Sequence, residues 1–274
     1  MRKFFQYLKV VLICGPAIIY YHFRYMVKFA RNPSKYPLEE RYAVARKEIQ
    51  MVLKHFHVDS KIENLEMFTK SNEKALLISN HLSFVDPLMI IAKSEKPVTF
   101  VAKKEVFDYP FAGKVAKALE VFGLDRENLM SQLSEIKKII CYLKDPNKPS
   151  VIIYIEGTRN KHPENECLEF HPGTLKISQM AGVKLMIGAT YGSFRVLSKT
   201  SYLKSYPCFF KLMNTIEAEE AKKENTVVFA QKLKEKIDRQ VDDFRRQDIK
   251  YINDMKISKK IKKSETRFDI RVKA

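Results

Sequence analysis

The segment Val151-Ile152-Ile153-Tyr154-Ile155 constrains this chain more than any other, because apolar, mostly β-branched residues follow one another without polar alternation. A strand with one wet face alternates. An unbroken run suits a strand buried on both faces of a parallel sheet, with helices above and below. Strand-like and helix-like stretches alternate around it. Helices are expected at 42–56, 88–92, 113–120, 130–143, 172–180 and 225–246, with Pro172 near the first turn of its helix. Further strands are expected at 65–68, 75–78, 98–101 and 184–187, with a polar turn at Ser71-Asn72-Glu73. This order predicts an α/β layer fold with a mostly parallel sheet flanked by helices. In such folds ligands sit outside the carboxyl ends of the strands, so polar clusters there are the first candidates for function.

A chain of 274 residues can bury one sizeable core with small appendages. With 45% hydrophobic and 30% charged residues it reads as globular, neither disordered nor wholly membrane-embedded. The 50 Lys and Arg against 32 Asp and Glu leave a formal charge of +18, which calls for an acidic partner. Nucleic acid, anionic lipid and acidic protein all qualify. The sequence carries no stripe of interleaved aromatic and basic residues of the kind that single-stranded nucleic acid requires, so nucleic acid is not expected. Cysteines at 14, 141, 167 and 208 include no C-x-x-C pair, which points to free thiols in a reducing compartment. Neither a metal nor a cofactor is expected.

The N-terminus is strongly apolar from Phe4 to Met26, interrupted by Gln6, Lys9, His22 and Arg24. Its cleanest run, residues 10–21, is short against the about 20 apolar residues of a span and contains Gly15-Pro16. No small-residue cleavage site follows it. Tyr7, Tyr20, Tyr21, Phe23 and Tyr25, flanked by Lys and Arg, suit a helix lying in the bilayer interface. A tilted span and an ordinary buried helix are the alternatives. Residues 1–36 are thus expected to form an apolar membrane-associating helical segment, 37–246 the folded domain and 247–274 a basic tail. The tail is densest at Lys259-Lys260-Ile261-Lys262-Lys263. Each such residue near anionic lipid contributes about 1 kcal/mol, although a merely solvated tail has the same composition.

Two polar clusters follow predicted strands. The first is Asn80-His81-Leu82-Ser83-Phe84-Val85-Asp86-Pro87. An imidazole with a carboxylate partner can take a proton from a hydroxyl, the carboxylate fixing the tautomer. On one regular helix, five residues turn about 500° and leave the two side chains about 140° apart. His81 and Asp86 therefore meet only if His81 precedes the helix and Asp86 lies in its first turn. Ser83-Phe84-Val85-Asp86 fits a capping box that starts a helix there. By the same token Asp86 could simply cap, and His81 could be a satisfied core histidine. The second cluster is Glu156-Gly157-Thr158-Arg159-Asn160. Gly157 permits a tight turn, Thr158, Arg159 and Asn160 offer donors, and the planar fork of an arginine suits phosphate. An ordinary strand-to-helix turn would look similar.

These clusters together resemble the glycerophospholipid acyltransferase family. Asn80-His81 through Asp86 is similar to its N-H-x4-D block. Phe100-Val101-Ala102-Lys103-Lys104-Glu105 and Pro110-Phe111-Ala112-Gly113 resemble the segment that follows, and Gly123-Leu124-Asp125-Arg126 the second block. Glu156-Gly157-Thr158-Arg159 is similar to the E-G-T-R block, and Phe170 with Pro172-Gly173-Thr174 fits the helix start linked to it. Ile155 and Asn160 stand where the family usually has Pro and often Ser, and Lys184 and Gly188 lie where its fourth block usually carries Pro. The resemblance implies that His81 acts as general base and Asp86 orients it. It implies that Arg126, Arg159 and Lys103 hold an acceptor phosphate while Glu156, Gly157 and Thr158 shape its glycerol site. The implied partners are a lysophospholipid acceptor, an acyl-CoA or acyl carrier protein donor, and a membrane surface on the cytoplasmic side.

Overall fold

The computed structural model describes residues 15–69, 73–196 and 205–254. Part of the apolar run at 10–14, the turn at 71–72, Cys14 and the lysine cluster at 259–263 lie outside them. Seven strands are present: β1 (Val58–Glu63), β2 (Ala75–Ser79), β3 (Val98–Lys103), β4 (Phe122–Leu124), β5 (Ser150–Tyr154), β6 (Lys184–Tyr191) and β7 (Tyr206–Ile216). They form one sheet in the order β1-β7-β6-β2-β5-β3-β4. From β6 to β4 every neighbouring pair is parallel. β7 then runs antiparallel to β6, and β1 pairs parallel with β7.

The period of two along the central strands divides the core into two faces. Leu77 of β2, Ile152 of β5 and Met186 of β6 face the helices Leu38–His55 and Val85–Lys93, alongside Tyr42, Met89 and Ile90. Leu76 and Ile78, Val151 and Ile153, and Leu185 and Ile187 face the helices Leu129–Lys144, Pro172–Ala181 and Thr226–Asp254. Strands covered on both sides leave no wet face to encode, which is why 151–155 shows no alternation. The result is a three-layer α/β/α arrangement, the predicted class.

Several helix ends carry their chemistry in the sequence. Glu39 and Glu40 open the helix Leu38–His55 and Lys54 and His55 close it, each matching the helix dipole. The Asn128 side chain caps the helix Leu129–Lys144 by accepting the Ser131 amide at 3.0 Å. Pro172 begins its helix, and Gly182 ends it in the left-handed region.

Two sequence expectations fail. Residues 65–68, expected as a strand, lead into the short helix Glu66–Thr69. A brief apolar run has no periodicity to separate the two conformations, and Asn64 at φ +59° turns the chain just before it. The long C-terminal helix also runs past Arg246 to Asp254, with Asp248 and Ile252 buried.

The N-terminal segment folds as the helix Gly15–Tyr21, a π-helical turn His22–Met26 and the helix Val27–Arg31. One side packs into the core through Ile18, Met26 and Phe29, and His22 Nδ1 meets Glu48 Oε1 at 3.0 Å. Tyr20 and Phe23 point the other way, 59% and 63% exposed. Among the described residues no helix is long and apolar enough to cross a membrane.

Candidate active site

Five strands, β6, β2, β5, β3 and β4, end on the same side of the sheet, and every candidate residue lies at a strand end, in a loop leaving it or in the helix turn that follows. The chain exits β2 at Ser79, and Asn80 locks the exit. Its Nδ2 donates to the Thr190 carbonyl at 3.0 Å, and its Oδ1 accepts the Thr190 amide at 2.8 Å. His81 therefore leaves the sheet from a fixed point.

His81 precedes the helix Val85–Lys93 and Asp86 lies in its first turn, the geometry that the spacing demanded. His81 Nδ1 meets Asp86 Oδ2 at 2.8 Å. That same oxygen accepts the amides of Leu82 and Ser83, each at 2.8 Å. Asp86 thus caps its helix and pairs with the imidazole through one atom, so the two readings of this residue describe one arrangement. Only half of the expected capping box forms. Ser83 Oγ accepts the Val85 amide at 3.2 Å, while the Asp86 amide goes to the Ser83 carbonyl. Asp86 is 1% exposed, and donors surround it, as a buried carboxylate requires. With the proton on Nδ1, the His81 Nε2 lone pair is the free acceptor.

In the turn that follows the neighbouring strand β5, Glu156 is buried and its two oxygens are already engaged. Oε1 accepts the His81 amide at 2.9 Å and Oε2 the Leu168 amide at 3.3 Å. Burial pushes its carboxyl up to about 7 against the pull of these two amides, with the charges of Asp86 and Asp238 adding to the rise. Glu156 thus supports the His81 loop from beneath. The Asn160 amide donates to the His81 carbonyl at 2.8 Å, so both sides of the His81 backbone are tied to the Glu156–Asn160 turn. Gly157 stands at φ +66°, and a Cβ there would lie 2.7 Å from His171 Nε2. Both conditions favour glycine. Thr158 and Arg159 are exposed and make no hydrogen bond or ion pair with the described residues.

Farther along the edge, Lys103 closes β3 opposite Leu124 of β4, and Asp125 and Arg126 follow. Lys103 is exposed and paired with Glu105 at 2.6 Å, and Lys104 with Asp125 at 3.2 Å. Arg126 is exposed. At about 4.8 Å per strand, the Arg159 turn starts one spacing from β2 and Arg126 three. The structure thus gathers all the candidates at one end of the strands, and of the candidate phosphate ligands Arg159 follows the strand next to β2. Lys184 lies at the opposite pole, bridging Glu73 and Glu217 at the start of β6.

Sequence reasoning missed three contributors. Tyr154 lies flat under His81, and Thr190 and Ser193 approach the far oxygen of Asp86. Tyr154 was legible as a strand residue, but nothing marked it as a neighbour of His81. Ser193 sits in no motif; its signal was a Gly-Ser pair five residues past the strand expected at 184–187. Among the described residues no group of three His, Cys, Asp or Glu side chains could hold a metal ion, and Cys141, Cys167 and Cys208 are free thiols. The edge thus offers a buried carboxylate, an imidazole with a free nitrogen, and an unpaired guanidinium, which suits proton abstraction beside an anionic group.

Comparison with known proteins adds an independent line. Residues 59–188 match the family model described as Acyltransferase. A probable 1-acyl-sn-glycerol-3-phosphate acyltransferase of Mycoplasma genitalium is 27% identical over 179 residues, 64% of this chain and 64% of that protein. The 1-acyl-sn-glycerol-3-phosphate acyltransferase of Cocos nucifera is 28% identical over 155 residues, 56% of this chain and 49% of its own. The chain thus spans less than two thirds of the length of these relatives. Among solved structures, the 1-acyl-sn-glycerophosphate acyltransferase PlsC of Thermotoga maritima superposes with a TM-score of 0.65 over 89% of this chain and 98% of its own, at 21% identity. That likeness is one of fold.

Proposed function

We propose that this chain, whose residues 59–188 match the Acyltransferase family model, moves a fatty acyl group from acyl-CoA or acyl carrier protein to the sn-2 hydroxyl of 1-acyl-glycerol-3-phosphate, giving phosphatidic acid. The observation that carries this reading is the 2.8 Å contact between His81 Nδ1 and Asp86 Oδ2 at the sheet edge that also presents Arg159. His81 Nε2 takes the proton of the acceptor hydroxyl as its oxygen attacks the thioester carbonyl. The tetrahedral intermediate collapses, the carbon–sulfur bond breaks, and the departing thiolate recovers the proton from the imidazolium. Asp86 stabilises that imidazolium, and general-base assistance of this kind accelerates transfer roughly 10²–10⁴-fold. No covalent acyl-enzyme is involved.

Arg159 holds the acceptor phosphate, with Arg126 and Lys103 contributing from farther along the edge. Thr158 and Gly157 shape the glycerol site above the buried Glu156. Lys103 exchanges its Glu105 partner for phosphate when acceptor binds. The lysophospholipid acceptor resides in a membrane and the thioester donor reaches it on a water-soluble carrier, so the protein works on the cytoplasmic face of a bilayer. Exposed Tyr20 and Phe23 and the +18 charge suit contact with anionic lipid. Purified protein given lysophosphatidic acid with acyl-CoA and, separately, with acyl carrier protein should form phosphatidic acid with at least one donor. Turnover of neither donor above a no-enzyme control would refute the assignment.

A further inference from the structure

Asp86 has two carboxylate oxygens, and the contacts on the second carry a consequence that the dyad alone does not. Oδ2 is saturated by His81, Leu82 and Ser83. Oδ1 faces two hydroxyls, both from the end of β6 and its turn. Thr190 Oγ1 lies 3.5 Å from it but 3.0 Å from the Phe209 carbonyl, and its single proton goes to the nearer acceptor. Ser193 Oγ donates to Oδ1 in a short contact. Among the described residues, Ser193 therefore supplies the effective bond to that oxygen.

We propose that Ser193 is a positioning residue: its hydroxyl holds the Asp86 carboxylate in the plane that meets His81 Nδ1. This inference rests on the reading of His81 as the base. A carboxylate turns about a broad, weakly restricted torsion, so a grip on Oδ2 alone leaves its plane loosely set. A second donor on the opposite oxygen fixes it, and the fit is built into the fold. Gly192 stands at φ +87°, where a Cβ would lie 2.3 Å from the Pro207 carbonyl oxygen, so the chain turns tightly against β7. That turn delivers Ser193, fully buried, into the short 3-10 helix Ser193–Arg195. Arg195 then pins the helix to Asp248, its Nη1 donating to Oδ1 at 3.0 Å.

The test is Ser193→Ala, with lysophosphatidic acid and an acyl-CoA as substrates. Loss of a charge-assisted hydrogen bond should lower kcat roughly ten- to hundredfold, while both KM values stay within about twofold, because Ser193 touches neither substrate. The ring Nδ1–H proton resonance of His81, identified by its loss in His81→Gln, should move upfield as the bond to Asp86 slackens. Should the alanine variant melt early, Ser193→Cys, a weaker donor, is expected to move the resonance the same way by less. An unmoved resonance overturns the proposal whatever happens to activity. If the resonance moves but His81→Gln retains full turnover, Ser193 positions the pair and the base assignment is what fails.

Discussion

The Tyr154 ring lies against the His81 imidazole with centroids 4.0 Å apart and planes 14° from parallel. The bond to Asp86 tethers His81 at one atom, and the stacked ring removes the remaining rotation, so Nε2 keeps one direction. The Tyr154 hydroxyl itself is buried without a partner among the described residues, and burial, with the Asp86 charge nearby, raises its pKa well above the usual tyrosine value. An unpaired buried hydroxyl costs about 1–3 kcal/mol. Tyr154→Phe, which keeps the ring, should therefore raise the thermal midpoint by a few degrees, and a fall would show that the hydroxyl has a partner.

His81→Ala should abolish acyl transfer with little change in folding, since the ring is partly exposed and its backbone ties run through Glu156 and Asn160. Turnover within threefold of wild type, in protein with an unaltered circular dichroism spectrum, would exclude the general-base role.

Arg159→Ala should raise acceptor KM at least tenfold and leave donor KM nearly unchanged, as loss of a charge-assisted bond to phosphate costs about 1.5–3 kcal/mol. Arg126→Ala, three strand spacings from β2, should do the same more weakly. A larger effect on donor KM would move Arg159 to the other substrate.

Glu156 makes stability depend on pH in an unusual direction. Its folded pKa, about 7, lies above its ordinary value, so between roughly pH 4.5 and 7 the folded state binds more protons than the unfolded one. Stability from this group is fully present below about pH 4.5 and is lost as pH rises through 7, by about 3 kcal/mol in all. Urea melts of wild type and Glu156→Gln across pH 5 to 8 should diverge in slope, the wild type losing more. Parallel slopes would place the Glu156 pKa near its ordinary value.

The N-terminal helices divide by face. Met26 and Phe29 are almost fully buried, so deleting residues 1–31 should cost several kcal/mol and yield unstable protein. Tyr20→Ser with Phe23→Ser should leave the melting temperature within a few degrees but weaken sedimentation with anionic vesicles. Undiminished vesicle binding by that double variant would shift the anchor elsewhere on the molecule.

What the sequence announced depended on whether a local signal survived tertiary context. The runs at 75–78 and 151–155 were legible because strands buried on both faces have nowhere to place polar residues. β1, Val-Asp-Ser-Lys-Ile-Glu, is a half-exposed edge strand whose polar residues read as loop. β7 opens with Tyr206-Pro207 and drew no strand expectation, although it is the longest strand in the sheet. Its antiparallel step beside β6 has no local code at all. In the site, His81 and Asp86 were legible because their spacing admits one geometry. The two backbone amides that the Glu156 carboxylate accepts were not legible, because that contact depends on where two distant loops meet.

The pairing of β1 with β7 also dictates when the sheet can close. Val58 finds its partner in Tyr206, and in the sheet β1 borders β7 alone. As the chain leaves the ribosome, β2, β3 and β5 can assemble early, while β1 waits, with its ladder unpaired, for nearly the whole domain to be made. Loop-closure entropy rises only slowly with length, so the delay weighs on rate far more than on final stability. An unsatisfied edge is also a template for pairing with another chain. The charged residues Asp59, Lys61 and Glu63, which hid β1 as a strand, also make it a poor template for such pairing.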